Sequence, residues 1–334
     1  MNSNLLLRRL LQAIPTLFGV SVVVFILVRV VPGNPIAMML PPGATAEDME
    51  RLRVAYGLDG SILEQYVIWL GQALTGSFGT SISLRQDVLE LVLGRLPATL
   101  ELALFATTLA VVLGVLVAML GSLFRGRWPE SVIDTVNGFT LAIPDFIWAL
   151  ALILLFGVVL PILPISGRID PRLGTEFATG FYLLEALLTG RFTVLGDLLR
   201  HVIMPAIALA LPLAAIITRV LKNSLAEAMV QDYVMIARVK GFSRWRIIWQ
   251  EALRNAAIPA LTLTGVQFTF LVGGTVLVEK IFSYPGIGNM AIEAVINRDL
   301  PLIQGLILSF AVIFIIVNLL VDLSYALLNP PLRT

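Results

Sequence analysis

The sequence predicts an all-α integral membrane protein with six transmembrane helices, and three observations carry that reading. Hydrophobic residues make up 58% of the 334 and charged residues only 13%, with a mean hydropathy of +0.92. Soluble domains carry about 25% charged residues, so this chain has too little polar surface to clothe a water-soluble globule. The apolar residues fall into runs of spanning length, and Lys and Arg are distributed unevenly between the segments that join them.

A spanning helix needs about 20 apolar residues, because each adds about 1.5 Å against about 30 Å of hydrocarbon. Runs of that kind place spans at 10–31, 98–121, 133–160, 202–221, 257–279 and 303–328. Lipid offers no partner to backbone N–H and C=O groups, which makes each span helical. The first run follows Arg8 and Arg9 and lacks a small-residue cleavage site before Pro32-Gly33-Asn34-Pro35, so it reads as a retained signal-anchor helix.

With the N-terminus cytoplasmic, the inside segments hold eleven Lys and Arg and the short outside segments hold six. The long outside segment is discounted by the same rule. The bias places both termini in the cytoplasm, as an even number of spans requires. Two regions are expected: residues 1–93, a transmembrane helix and an extracytoplasmic segment of short helices on the membrane face with aromatic anchors Tyr56, Trp69 and Phe78; and residues 94–328, a transmembrane core. No internal repeat is apparent.

Composition excludes other classes. A net charge of +1 gives no electrostatic footprint for nucleic acid. With no cysteine there is no disulfide or thiolate chemistry, and the one histidine, His201, argues against a His-based metal cluster. No catalytic, cofactor-binding or metal-binding residue is expected. None of the three lysines follows a glycine, so a Gly-x-x-x-x-Gly-Lys phosphate loop is absent.

The inside segment 222–256 is the most informative. It holds six of the eleven inside basic residues. The stretch up to Val239 has helical character, Gly241 supplies a left-handed stop, and Ser243 caps a second helix. Phe242, Trp245, Ile248 and Trp249 then share one face by helical spacing. This predicts a basic helix–turn–helix with an exposed aromatic stripe. From the residues alone two readings stand side by side: a docking surface for a cytoplasmic partner, or a hairpin lying on anionic lipid.

Ala237 and Gly241, with three residues between them, match the latter part of the EAA loop of binding-protein-dependent ABC importer permeases. Ala237-Arg238-Val239-Lys240-Gly241, with Ala252-Leu253-Arg254-Asn255-Ala256 and Ile258-Pro259, resembles the peptide and nickel branch of that family. Arg95-Leu96-Pro97-Ala98-Thr99-Leu100-Glu101-Leu102, Leu163-Pro164-Ile165-Ser166-Gly167 and Glu279-Lys280-Ile281-Phe282-Ser283-Tyr284-Pro285-Gly286-Ile287-Gly288 resemble its core entry and outside loops. Met235 and Ile236 depart from the general pattern, standing where Glu and the first Ala would be, and Glu251 and Arg254 stand where Ile and Pro would be.

The resemblance implies a type I ABC importer permease fold. It implies that Ala237, Arg238, Lys240, Gly241, Phe242, Arg244 and Trp245 form the coupling helix seated on an ATPase subunit. The implied partners are a homologous second permease, two cytoplasmic ABC ATPases that bind ATP and Mg, an extracytoplasmic substrate-binding protein and the bilayer of the bacterial inner membrane. Dipeptide or oligopeptide import is the substrate class it suggests.

Charges near the spans give three candidates for the substrate path, Glu101, Asp145 and Arg219, although Glu101 and Arg219, like Arg29, also suit snorkelling at helix ends. Asp322 with Asn318 reads as a packing pair. Pro144 and Pro205 read as kinks, Pro212 as a hinge and His201 as an interfacial residue. The alternative functions are an ion-coupled secondary transporter, for which an obvious acidic relay is missing, and an intramembrane enzyme, for which no Gly-x-Ser-x-Gly elbow occurs.

Overall fold

Long helices built on the apolar runs dominate the architecture. The computed structural model describes residues 3–30, 45, 47, 49–51, 60–173 and 176–328. In order the helices are α1 Ser3–Val30, α2 Ile62–Leu74, α3 Val88–Leu123, α4 Trp128–Ala142, α5 Asp145–Leu152, α6 Tyr182–Leu188, α7 Phe192–Ala228, α8 Asp232–Val239, α9 Arg244–Gly274, α10 Val276–Ile281, α11 Ile287–Ile296 and α12 Leu300–Leu328. Among the described residues the only β pairing is an isolated bridge between Thr80 and Asp87. Tyr56 and the side chains of Arg29 and Asp322 lie outside what is described.

Five of the six expected spans coincide with a helix, though the bounds shift, and the sixth falls on a bent pair. Helices α3, α7 and α9 and the Leu300–Val321 part of α12 are long and apolar enough to cross a bilayer, and α1 contributes the apolar stretch Leu11–Ile26. Helix α7 runs 37 residues through both Pro205 and Pro212 without a break. The expected span over 133–160, with its kink at Pro144, is two helices, α4 and α5, bent by 100°. The cause is Pro144, which follows an extended Ile143 (ψ 121°) and stands as N-cap of α5. Proline pushes the residue before it out of the helical region. Helix α5 then runs into a π turn over Ile153–Val159. The span expected to end at residue 279 ends at Gly274, and α10 follows as a separate short helix.

Contacts within the chain divide it into two units. One is Met1–Leu96 with Met290–Thr334, the other Pro97–Asn289. In the first, α1 packs along α12, and the loop after α2 is tied down by Asp299. That carboxylate accepts from Ser81 Oγ (2.6 Å), Ser83 Oγ (2.7 Å) and Ser83 N (2.9 Å), and it caps α12 through Leu302 N (3.2 Å). Burial alone would raise the pKa of Asp299, but the serine hydroxyls and backbone N–H groups hold it below the usual carboxylate range.

In the second unit, α3 and α7 meet through small residues. Ala98, Ala106 and Ala110 of α3 are fully buried, as are Ala206, Ala208 and Ala210 of α7. A Cβ on Gly114 would lie 2.8 Å from the Ile217 side chain and 3.1 Å from the Ala214 carbonyl. Close backbone approach of this kind is how helices associate in lipid, where apolar burial gives no drive.

A candidate coupling surface and the charges behind it

The hairpin of residues 232–249 forms as its local chemistry dictates. Gly241 has φ +78° and ends α8 in a Schellman arrangement, with Phe242 N donating to Ala237 O (3.2 Å) and Gly241 N to Arg238 O (2.9 Å). Ser243 is the N-cap of α9 and accepts from Arg246 N (3.4 Å). The Arg246 guanidinium stacks over the Phe242 ring at 4.0 Å.

Burial divides the expected coupling residues into two groups. Ala237 is 4% exposed and packs with Val234 and Ile247 inside the hairpin, and Phe242 leans on the same cluster. The Ala237 side chain thus lies inside the turn. Arg238 donates to Met229 O (3.0 Å), capping the end of α7, and Arg244 donates to Ser122 O (2.9 Å) in the last turn of α3. Arg238 and Arg244 are nonetheless exposed, as are Lys240, Gly241 and Trp245. The expected aromatic stripe is likewise split: Trp245 and Trp249 face outward, while Ile248 is fully buried against α3 and α7.

The exposed face also includes three residues that the sequence reading left out. Met235 (62% exposed), Ile236 (55%) and Val239 (85%) stand beside Lys240 as aliphatic side chains on a short polar helix. Their signal in the sequence was the departure from the EAA pattern at 235 and 236, which is where the contact surface differs in kind. A second missed feature is that α9 carries a π turn over Ile247–Ala252 and continues unbroken into the span.

The three substrate-path candidates have separate surroundings, and among the described residues no hydrogen bond or ion pair joins them. Glu101 is 7% exposed and pairs with Arg168, itself 6% exposed, at 2.6 Å. Its other oxygen accepts from Leu183 N (2.9 Å) and Leu184 N (3.2 Å), so it caps α6. Arg168 also donates to Gly180 O (2.8 Å) and lies over the Tyr182 ring at 3.9 Å. Both carboxylate oxygens of Glu101 thus have protein partners. Asp145 accepts from Phe146 N (2.7 Å) at the half-buried start of α5. Arg219 is exposed on α7, three residues before Lys222. Lys222 holds Glu130 (2.7 Å) and Asp134 (2.6 Å) of α4.

Two further clusters escaped the sequence. Glu279 is fully buried without a cation and accepts from Thr99 Oγ1 (2.7 Å), Thr275 Oγ1 (2.9 Å) and Asn289 N (2.9 Å). The Thr99 hydroxyl oxygen in turn accepts from Ile287 N (2.9 Å), which fixes the Tyr284–Gly288 loop over α3. His201, expected at an interface, is 8% exposed and its Nδ1 lies 2.9 Å from Asp197 O. It lines a cavity of about 540 Å³ with Asp170, Asp197, Arg200 and the Pro161–Pro164 turn. Among the described residues no group of three or more His, Asp or Glu gathers as a metal site.

Fold and site define a multi-pass helical membrane protein with a polar–apolar hairpin at one end of its span helices. Residues 110–334 match the family described as "Binding-protein-dependent transport system inner membrane component", and residues 2–103 match the N-terminal part of such components. The chain belongs to this family and is a permease of the inner membrane. It is 40% identical over 331 residues to the di/tripeptide transport system permease protein DppB of Pseudomonas aeruginosa, covering 98% of this chain and 97% of that one. It is 34% identical over 330 residues to the glutathione transport system permease protein GsiC of Escherichia coli K12, covering 99% of each. Its fold is similar to a chain of the inward-facing MetNI methionine ABC transporter, with a TM-score of 0.51 at 15% identity, over 70% of this chain and 93% of that one.

Proposed function

We propose that this chain is the membrane subunit of an ATP-driven importer of dipeptides or oligopeptides delivered by an extracytoplasmic binding protein. The observation that carries the substrate class is the end-to-end similarity to a di/tripeptide permease. In this reading the chain crosses the membrane six times with both termini in the cytoplasm, and residues 94–328 form the translocating core. A homologous second permease completes the path. Two cytoplasmic ATPase subunits bind ATP and Mg and supply the energy, since the sequence has no phosphate loop of its own.

The hairpin is where those ATPases engage. Met235, Ile236, Val239, Lys240 and Trp245 supply an exposed apolar and basic surface, and Gly241 sits at its tip with open space around it. Arg238 and Arg244 position that surface by gripping the ends of α7 and α3. ATP-driven movement of the ATPases would swing α7 and α9 between outward and inward arrangements. Asp145 and Arg219 remain candidates for the substrate path.

The test is reconstitution with and without ATPase and binding-protein subunits, reading ATP-dependent uptake of a labelled dipeptide. Uptake should require every partner, and Gly241→Asp should abolish it while membrane insertion and complex assembly persist. Gradient-driven uptake by the chain alone would sink the importer reading, and normal uptake by Gly241→Asp would sink the coupling assignment.

A further inference from the structure

Helix α2 turns its large aliphatic side chains outward. Ile62, Leu63, Val67, Ile68 and Leu74 are between 50% and 80% exposed, and no residue of the helix is buried. Its opposite side carries the polar-tipped rings. Tyr66 donates to or accepts from Ser21 Oγ at 2.7 Å and lies edge-on to Phe25 at 5.1 Å and to Phe18 at 6.4 Å, and Trp69 lies 5.6 Å from Phe25.

The depth of those contacts decides what surrounds the helix. Phe18, Ser21 and Phe25 belong to the Leu11–Ile26 apolar stretch of α1, and they precede its last residue, Val30, by twelve, nine and five positions. At about 1.5 Å per residue they lie about 8 to 18 Å inward along the helix axis. With the end of α1 taken as the membrane surface, a helix seated there lies within the hydrocarbon. With 13 residues, about 20 Å, α2 is too short to cross. It carries no Lys or Arg, and its one acid, Glu64, is tied into the capping box with Ser61 at the positive end of the helix dipole.

We propose that α2 is a membrane-embedded helix of the leaflet into which α1 emerges, and that lipid acyl chains cover its exposed face. A water-soluble binding protein does not reach the depth of Ser21. A second permease packed there would favour small residues, which is how helices meet in lipid, whereas this face is mostly Leu, Val and Ile, with Gly71, Gln72 and the capping Glu64 also exposed on it. Long aliphatic side chains against acyl chains need no shape match. Such a seat makes α2 a lateral brace for α1.

The natural absence of cysteine makes the test direct. Single cysteines at Leu63, Val67 and Ile68 are spin-labelled in the assembled, uptake-competent transporter in phosphatidylethanolamine–phosphatidylglycerol vesicles. Collision with oxygen, which concentrates in hydrocarbon, is compared with collision with a water-soluble nickel chelate. All three labels should meet oxygen more than chelate, with the ratio shown by a label at Val112, an exposed position on α3. Chelate in excess at these positions would place α2 in water. Low collision with both reagents would mean that protein covers the face. Either result overturns the proposal, and neither depends on which substrate the transporter carries.

Discussion

Removing the Arg168 side chain should be among the most damaging single changes in the second unit, and its rescue should be specific. In Arg168→Met the carboxylate of Glu101 keeps its two backbone N–H donors at α6 but loses its only cation, at a site where both side chains are under 8% exposed. Breaking a buried pair from one side costs about 3–5 kcal/mol, because an uncompensated charge is left behind. The same change removes the bond to Gly180 O and the stacking on Tyr182, a contact worth about 2 kcal/mol when desolvated. These terms overlap, so about 3–5 kcal/mol is expected for the whole substitution. Adding Glu101→Gln should restore part of that loss, since an amide oxygen still caps α6 and no charge is stranded. The assay is a double-mutant cycle on unfolding of purified protein in mixed micelles of rising SDS fraction. The reasoning fails if Arg168→Met costs less than about 1 kcal/mol, or if the double variant is no more stable than the single one.

Other perturbations follow from the same geometry. Thr99→Val should cost about 1–3 kcal/mol, because it leaves Glu279 one donor short and Ile287 N without its acceptor, and the Tyr284–Gly288 loop should become more susceptible to protease. Gly288→Ala should be worse tolerated than Gly138→Ala, since its Cβ would meet the Val276 backbone at 2.7 Å whereas the space beside Gly138 is open; expression of folded protein by fluorescence size exclusion checks this. Asp299 contributes a pH dependence. Its folded pKa is depressed, so its stabilisation is present above the ordinary carboxylate value near 4 and is lost as pH falls through the folded value. Asp299→Asn should flatten that acid limb of the unfolding profile. Lys222→Met should loosen α4 from α7 by leaving Glu130 and Asp134 without their shared cation, which amide exchange across residues 128–142 would report.

Much of this architecture was written in composition and spacing. The apolar runs located every long helix, because lipid admits one solution for a spanning backbone. Gly241 and Ser243 were readable as a helix stop and start, since each acts through its own backbone and nearest neighbours. What escaped depended on partners distant in sequence. Glu101 is a lone acid in the sequence, and only the fold brings Arg168, 67 residues later, against it. Glu279 likewise draws a donor 180 residues away. Ala237 was read as part of the coupling helix, and its burial against Val234 and Ile247 appears only once the hairpin folds on itself. The bend at Pro144 was legible as a kink in kind but not in size, because the angle is set by how α4 and α5 each pack on α7.

The continuity of α9 has a mechanical meaning. From Arg244 to Gly274 the chain is one helical rod of 31 residues, about 46 Å end to end. No non-helical residue separates Trp245, at the exposed tip, from Val272, buried near the far end. A push on Trp245 arrives at the other end with little lost motion. Its only compliant points are the π turn at Ile247–Ala252 and Pro259, where helical hydrogen bonding is already irregular. With Arg244 bonded to the end of α3, the rod has a fulcrum beside its exposed end, and under the proposed coupling role a small displacement at the tip would be geared up across the length of the span.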